Sequence, residues 1–418
     1  MAIEGGEAAG WEKAGRLKGS GPVVSTLGAM TSGRSLLPLW PLDPTAIYLN
    51  HGTVGVTPRR VLAAQQAWRD RMERHPARFM LRDLWTFAGT SDGRPTLMRQ
   101  AAAEVAAFVG AWPDDLVFVD NTTTGVNAVL RSLPLGAGDD VLVTDHLYGG
   151  IMTGVTHISR AAGATVRTVE APYPAFDAAE AVDRIARALT DRTRLVIVDH
   201  IAAETAIVWP VAEIVRACHA KGVAVLVDGA HVPGAIALDV VAIDADFYVA
   251  NLHKWAMAPR SAAFLVVREE HQAAMHPAVI SWGLDRGFTQ EFDWMGTRDP
   301  TPWLTAPDGL RFLHDLGYED LRRANHDLAW RAARYLSDRW STPLSIDEAA
   351  VGCMVSVMVP SSVGMTTADA MRLRDRLLFE HDIEVQVHAR AGRVWVRVSA
   401  QIYNEFADID ALGRAVVP

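Results

Sequence analysis

The sequence predicts an α/β protein: a mainly parallel, seven-stranded sheet wrapped by helices, followed by a smaller α+β region. Three observations carry this. Short apolar runs recur at 116–119, 141–144, 165–169, 195–198, 223–227, 247–249 and 262–267. Such unbroken runs suit strands buried on both faces. Helical stretches such as 178–189 and 211–221 separate many of them, as crossover connections require. After Thr305 the texture changes to a long helical region, 307–337. Candidate strands then follow at 354–359, 383–387 and 393–398, with a helix over 368–380 between the first two. The expected division is a tail or arm at 1–40, a large domain at 41–305 and a small one at 306–418.

Residues 1–40 are rich in Gly, Ala and Ser and read as a flexible tail, or as an arm anchored through Leu36 to Trp40 on a neighbouring subunit. Order is expected to begin at Ile47-Tyr48-Leu49-Asn50-His51-Gly52-Thr53-Val54-Gly55, a short strand turned sharply by its glycines. Helices follow Pro58 and Pro95, interrupted around His75-Pro76.

Composition narrows the function classes. The net charge of −9 argues against non-specific nucleic-acid binding, which needs clustered Lys and Arg. Cys218 and Cys353 belong to no CxxC or Cys/His cluster, so neither a disulfide framework nor a zinc site is expected. The acidic, non-apolar start does not read as a secretory signal, and no apolar run is long enough to span a bilayer. The expected setting is cytoplasmic, with no membrane and no nucleic-acid partner.

Ligands of mainly parallel sheets bind at the carboxyl ends of the strands. Two strand ends here carry a pair of groups with a shared use. The run 223–227 ends in Asp228-Gly229-Ala230-His231, and 247–249 leads to Asn251-Leu252-His253-Lys254-Trp255. A partly desolvated lysine forms a Schiff base with an aldehyde. An aspartate beside it keeps a pyridine nitrogen protonated, so the pair suits pyridoxal 5'-phosphate. Alone, Lys254 reads as a surface charge and Asp228 as a helix cap. Together with His231 and His253 they read as a site.

Asp120-Asn121-Thr122-Thr123-Thr124-Gly125 lies where a strand gives way to a helix. Its hydroxyls and free N–H groups make a phosphate cradle, with Asn251 and His253 as second contacts; a plain N-cap is the simpler use. Tyr148, or else His146, is placed to stack on a flat ring. Arg397, alternating on a small-domain strand, suits a substrate carboxylate, and equally a surface ion pair.

From about Ile47 to the C-terminus the chain resembles the class V aminotransferase family of fold-type-I pyridoxal-phosphate enzymes. Within it the likeness is to isopenicillin N epimerase-like proteins. The motifs are Leu49-Asn50-His51-Gly52, Asn121-Thr122-Thr123-Thr124-Gly125-Val126-Asn127, Val227-Asp228-Gly229-Ala230-His231, Asn251-Leu252-His253-Lys254-Trp255 and Trp294-Met295-Gly296-Thr297-Arg298-Asp299. The resemblance implies Lys254 as the Schiff-base lysine and proton shuttle, Asp228 on the pyridinium nitrogen and His231 near the phenolic oxygen. It implies Thr122, Thr123, Asn251 and His253 on the phosphate, Tyr148 on the ring, and Arg397 on the substrate carboxylate. Asn50, His51 and Arg78 would line the substrate pocket. Thr297 would reach the phosphate of a neighbouring subunit, which implies a homodimer.

Two departures bear on the reaction. Cysteine desulfurases of this family carry a nucleophilic cysteine on a loop before the final arginine strand. Here Gln386-Val387-His388-Ala389-Arg390-Ala391-Gly392 is short and has none. Ala203 stands where relatives usually place Asn or Ser. The resemblance therefore implies chemistry at Cα or Cβ of an amino-acid substrate. Foremost is C–S cleavage of an S-substituted cysteine, as in lyases of specialised metabolism that include thiol-containing antibiotic pathways. Epimerisation, decarboxylation-dependent deamination and transamination are the alternatives, and a non-catalytic binding module is the remaining class.

Overall fold

The computed structural model describes residues 33–86, 90, 93–344 and 346–417. The central sheet holds β2 (Leu116–Val119), β3 (Asp140–Thr144), β4 (Thr165–Val169), β5 (Thr193–Asp199), β6 (Ala224–Asp228), β7 (Phe247–Asn251) and β8 (Ala263–Val267). Their order is β2-β8-β7-β6-β5-β3-β4, and only β8 runs against the rest. The reversal follows from chain length. Only residues 252–262 join β7 to β8, which is too short for a parallel crossover. Edge strand β4 is half-open to solvent, and its Arg167 and two threonines suit that place.

Alternate residues of the inner strands feed two cores. Val225 and Val227 of β6, with Val196 and Val198 of β5, pack on one face with Trp209 and Ile214. Leu226, Leu195 and Ile197 pack on the other with Val126, Val129 and Ile151. Both faces are dry, which is why these strands read as continuous apolar runs.

A third core belongs to a smaller sheet of β9 (Met354–Met358), β11 (Gln386–Arg390) and β12 (Arg393–Ser399), in the order β11-β12-β9. Val355, Val357, Val387, Val394, Val396 and Val398 face the helices Tyr318–Trp340, Thr367–His381 and Phe406–Val416. The alternate residues face the large sheet and build the site.

The structure corrects three readings of the chain. The helical region 307–337 is two helices, Ala306–Asp315 and Tyr318–Trp340, broken where Gly317 takes φ 75°. The run 383–387 is likewise two strands. β10 (Ile383–Glu384) pairs in parallel with β1 (Ile47–Tyr48), while β11 pairs with β12. Consequently Leu49 packs in the C-terminal core although it precedes the large sheet by sequence. Residues 1–32 of the expected tail lie outside the described residues. Arg34–Leu39 forms a 3-10 helix, and Trp40 is fully buried against Phe312 and Tyr403. The 36–40 stretch is therefore anchored on this chain's own body. No described helix is long and apolar enough to cross a membrane.

Candidate active site

The turn 252–262 delivers Lys254 at the carboxyl end of the sheet. Two glycines admit it. Gly55 (φ +67°) lies so close that an added Cβ would stand 2.0 Å from the His253 carbonyl oxygen. At Gly234 (φ +92°) a Cβ would stand 2.3 Å from the Trp255 oxygen. Lys254 is buried, and its Nζ lies 3.0 Å from Nε2 of His231. Burial, then the charge of Arg397, lowers its pKa to about 7, against the pull of Asp228 and Asp199. Burial, Lys254 and Arg397 press His231 far below its usual range, so its ring is neutral. Its Nδ1 has no partner among the described residues.

Asp228 ends β6, and its Oδ1 accepts from the Ala230 N–H at 2.9 Å. Burial raises its pKa to about 6; the Ala230 bond and Lys254 hold it down. Asp199 stands directly beside it in the β5–β6 register. Burial and Asp228 raise Asp199 well above the carboxylate range. Two buried carboxyls side by side cannot both ionise cheaply. Asp199 keeps its proton, and Asp228 carries the charge. No local pattern sets Asp199 apart; its tie to Asp228 is a product of register.

The expected cradle residues meet at one helix start, with one change of role. The helix Thr122–Ser132 starts here, and the Asn121 side chain caps it by accepting from the Thr124 N–H at 2.9 Å. The Thr122 N–H donates to Asn251 Oδ1 at 3.1 Å, and Asn251 Nδ2 donates to Thr122 Oγ1 at 3.3 Å. Asn251 thus pins the helix start to the end of β7. Thr122 is buried, and Thr123 beside it is half-buried. His253 is held by a contact between Nδ1 and the Ala262 oxygen at 3.1 Å, and burial lowers its pKa to about 4.

Tyr148 precedes the helix Gly149–Ala162 and is 48% exposed. Its ring leans over the start of that helix, where a Cβ on Gly150 would stand 2.7 Å from it. His146 turns inward, with Nδ1 2.9 Å from Thr205 Oγ1 and its edge against Trp209. Of the two candidates, only Tyr148 is open to a ligand.

Across the cleft, Arg397 is buried; its Nη2 donates to Thr53 Oγ1 at 2.7 Å and its Nη1 to the Ala203 oxygen. Thr53 in turn donates to Asn50 Oδ1 at 2.5 Å. Among the described residues the Arg397 Nε has no partner, and its side-chain hydrogen bonds go to neutral acceptors. Glu204 acts on Arg397 only at a distance, without a direct ion pair, and a buried guanidinium with no carboxylate bound to it is a natural anion site.

The other expected pocket residues fall differently. Both ring nitrogens of His51 are engaged, Nδ1 with Tyr403 Oη at 2.9 Å and Nε2 with the Lys254 carbonyl at 3.1 Å. It braces the lysine turn and does not open onto the cleft. Arg78 lies 73% exposed, 3.8 Å from Asp83, because it closes a surface turn between helices. Thr297 is exposed beside Gly296. Burial pushes the thiols of Cys218 and Cys353 up to about 12, so neither is a ready nucleophile. The region without a cysteine is β11 plus a tight turn, with Ala391 and Gly392 both at positive φ.

The residues therefore fit a pyridine cofactor. A buried carboxylate, an amine of lowered pKa, a helix-start cradle, an open aromatic ring and the Nδ1 of His231 lie at the carboxyl ends of the strands of one sheet.

Such a strand-end lysine and carboxylate on this sheet define the class of enzyme, and comparison with known proteins gives the family. The class-V aminotransferase model matches residues 48–412, and the chain belongs to that family. A probable chloroplastic L-cysteine desulfhydrase of Arabidopsis thaliana is 31% identical over 402 residues, covering 90% of this chain and 83% of that one. Isopenicillin N epimerase of Streptomyces clavuligerus is 31% identical over 393 residues, covering 90% and 95%. A cystine C–S lyase solved with its product cysteine persulfide has the same fold, with TM-score 0.73, 23% identity and coverage of 89% and 97%.

Proposed function

We propose that this chain is a pyridoxal-phosphate enzyme that cleaves the C–S bond of an S-substituted cysteine. The observation that carries the reading is the convergence of Lys254, Asp228 and Arg397 on one cleft. Relatives named as cysteine desulfhydrases support the reaction. The bound cofactor supplies an electron sink for a bond broken at Cα.

The chain's own residues do the rest. Arg397 holds the substrate carboxylate and so fixes which Cα bond faces the cofactor. The Lys254 amine, with a pKa of about 7, takes the Cα proton near neutral pH. Asp228 keeps a proton on the ring nitrogen, while Asp199 stays neutral beside it. Thr122, Thr123, Asn251, His253 and the helix start hold the phosphate, and Tyr148 covers the ring. Overall, an S-alkyl cysteine and water give thiol, pyruvate and ammonia.

Epimerisation is the second reading, favoured by the likeness to isopenicillin N epimerase. A homodimer with Thr297 reaching the partner's phosphate, and a cytoplasmic setting, complete the proposal. The test is incubation of the purified protein with S-alkyl cysteines. Release of pyruvate and thiol supports the lyase; inversion at Cα without pyruvate supports the epimerase.

A further inference from the structure

His388 is a buried histidine that the chemistry above does not use. It sits on β11 with 7% of its surface exposed, and neither ring nitrogen has a partner among the described residues. The other buried histidines differ. His51, His146, His200 and His231 each engage at least one ring nitrogen. A buried imidazole carries one donor and one acceptor, and both normally find partners.

Its place says what would satisfy it. In the β11–β12 register Gln386 lies opposite Arg397 and His388 opposite Trp395, so His388 and Arg397 share one face of the small sheet, one pair apart. Ser356 and Met358 extend that face on β9. It is the face turned to the large sheet. Ser356 Oγ reaches the Glu204 oxygen, Arg397 reaches Ala203 and Thr53, and Arg390 pairs with Asp145. Diagonal neighbours on a sheet face stand about 7–8 Å apart at Cα. Side chains rooted that far apart on one face can converge on a single small molecule between the two sheets.

The electrostatics select the group. Burial first, then Arg397 and Arg390, lower the His388 pKa to about 3, so the ring stays neutral and acts as an N–H donor and not as an acid. Arg390 is matched by a direct pair with Asp145, whereas Arg397 makes no direct ion pair and feels Glu204 only at a distance. The wall is electropositive, and it favours a group on which negative charge develops.

We infer that His388 is a specificity-determining residue that donates a hydrogen bond to the departing sulfur of a substrate whose carboxylate Arg397 holds. This rests on the C–S lyase reading. As the Cβ–S bond breaks, its electron pair goes to sulfur, and the imidazole N–H stabilises that thiolate until solvent protonates it.

The test uses the holoenzyme, its His388→Phe and His388→Asn variants, and two substrates. One is S-ethyl cysteine, a poor leaving group; the other is S-(2-nitrophenyl) cysteine, a good one. A lost donor of this kind costs about 100-fold in kcat. The expected result is a loss of that order for His388→Phe on the ethyl substrate. Little loss is expected on the nitrophenyl one, where the thiolate needs no help. Partial recovery is expected in His388→Asn, which keeps an N–H donor. Cofactor affinity, read from its visible absorption, stays unchanged. An equal loss on both substrates, or none, overturns the inference. If His388→Phe does not fold, His388→Leu, which also lacks a donor, carries the same comparison. Failure of the wild-type enzyme to release thiol from either substrate would instead overturn the lyase reading beneath it.

Discussion

Lys254 Nζ and His231 Nε2 lie 3.0 Å apart in a pocket that is dry for both. The contact joins an amine pressed down to about 7 with an imidazole pressed well below its usual range. Linkage gives this a sign. In the unfolded chain Lys254 binds its proton up to about 10.4, whereas in the fold it lets go near 7. The unfolded state holds more protons between those values, so the stability of the cofactor-free protein rises with pH there. Asp228, raised to about 6, works oppositely from its unfolded value near 3.8 up to about 6. Urea titrations of the cofactor-free protein and Lys254→Met should show the wild-type's stability relative to the variant climbing from pH 7 to 10. A difference that is flat or falls over that range would contradict the pKa of the lysine.

Gly55 and Gly222 both have φ +67°, but only Gly55 meets anything: a Cβ there would stand 2.9 Å from the Cα of Lys254, whereas at Gly222 nothing lies within 4 Å. Gly222→Ala should cost about 1–2 kcal/mol, the strain of a left-handed residue. Gly55→Ala adds overpacking of about 1–3 kcal/mol and shifts the lysine turn. Denaturation midpoints and cofactor affinity check this: both fall for Gly55→Ala, and only the midpoint falls for Gly222→Ala.

Tyr403→Phe deletes the hydroxyl 2.9 Å from His51 Nδ1 and leaves that buried nitrogen bare. The expected cost is about 1–2 kcal/mol of stability. Because His51 also braces the Lys254 carbonyl, kcat should fall while KM for the amino acid changes little. A rise in KM alone would place His51 on the substrate instead.

Arg397→Lys keeps the charge and loses the planar fork. Substrate KM should rise about 100-fold, the equivalent of about 2.7 kcal/mol. Steady-state kinetics with an S-alkyl cysteine and with its decarboxylated amine separate the effects: only the carboxylate-bearing substrate should suffer.

Much of this architecture was legible in the chain because the inner strands are dry on both faces, so each reads as an apolar run. Lys254, Asp228 and Thr122 were legible because strand ends in such a sheet are where its ligands sit. What escaped depends on distant partners. The break at Gly317 reads locally as one tolerated glycine, and β10 separates from β11 because it pairs with β1. His51 looked like a pocket residue until both nitrogens met groups 352 and 203 positions away in sequence. Asp199 beside Asp228, and His388 beside Arg397, are consequences of strand register that no local pattern carries.

The most direct test of the central claim compares the wild-type protein with Lys254→Ala, first by absorbance with added pyridoxal phosphate and then with S-ethyl cysteine. The account predicts a visible cofactor band in the wild-type that the variant lacks, and pyruvate and ethanethiol in equal amounts from the wild-type alone. A wild-type protein that shows no band with added cofactor, or a variant that still releases thiol, would contradict it.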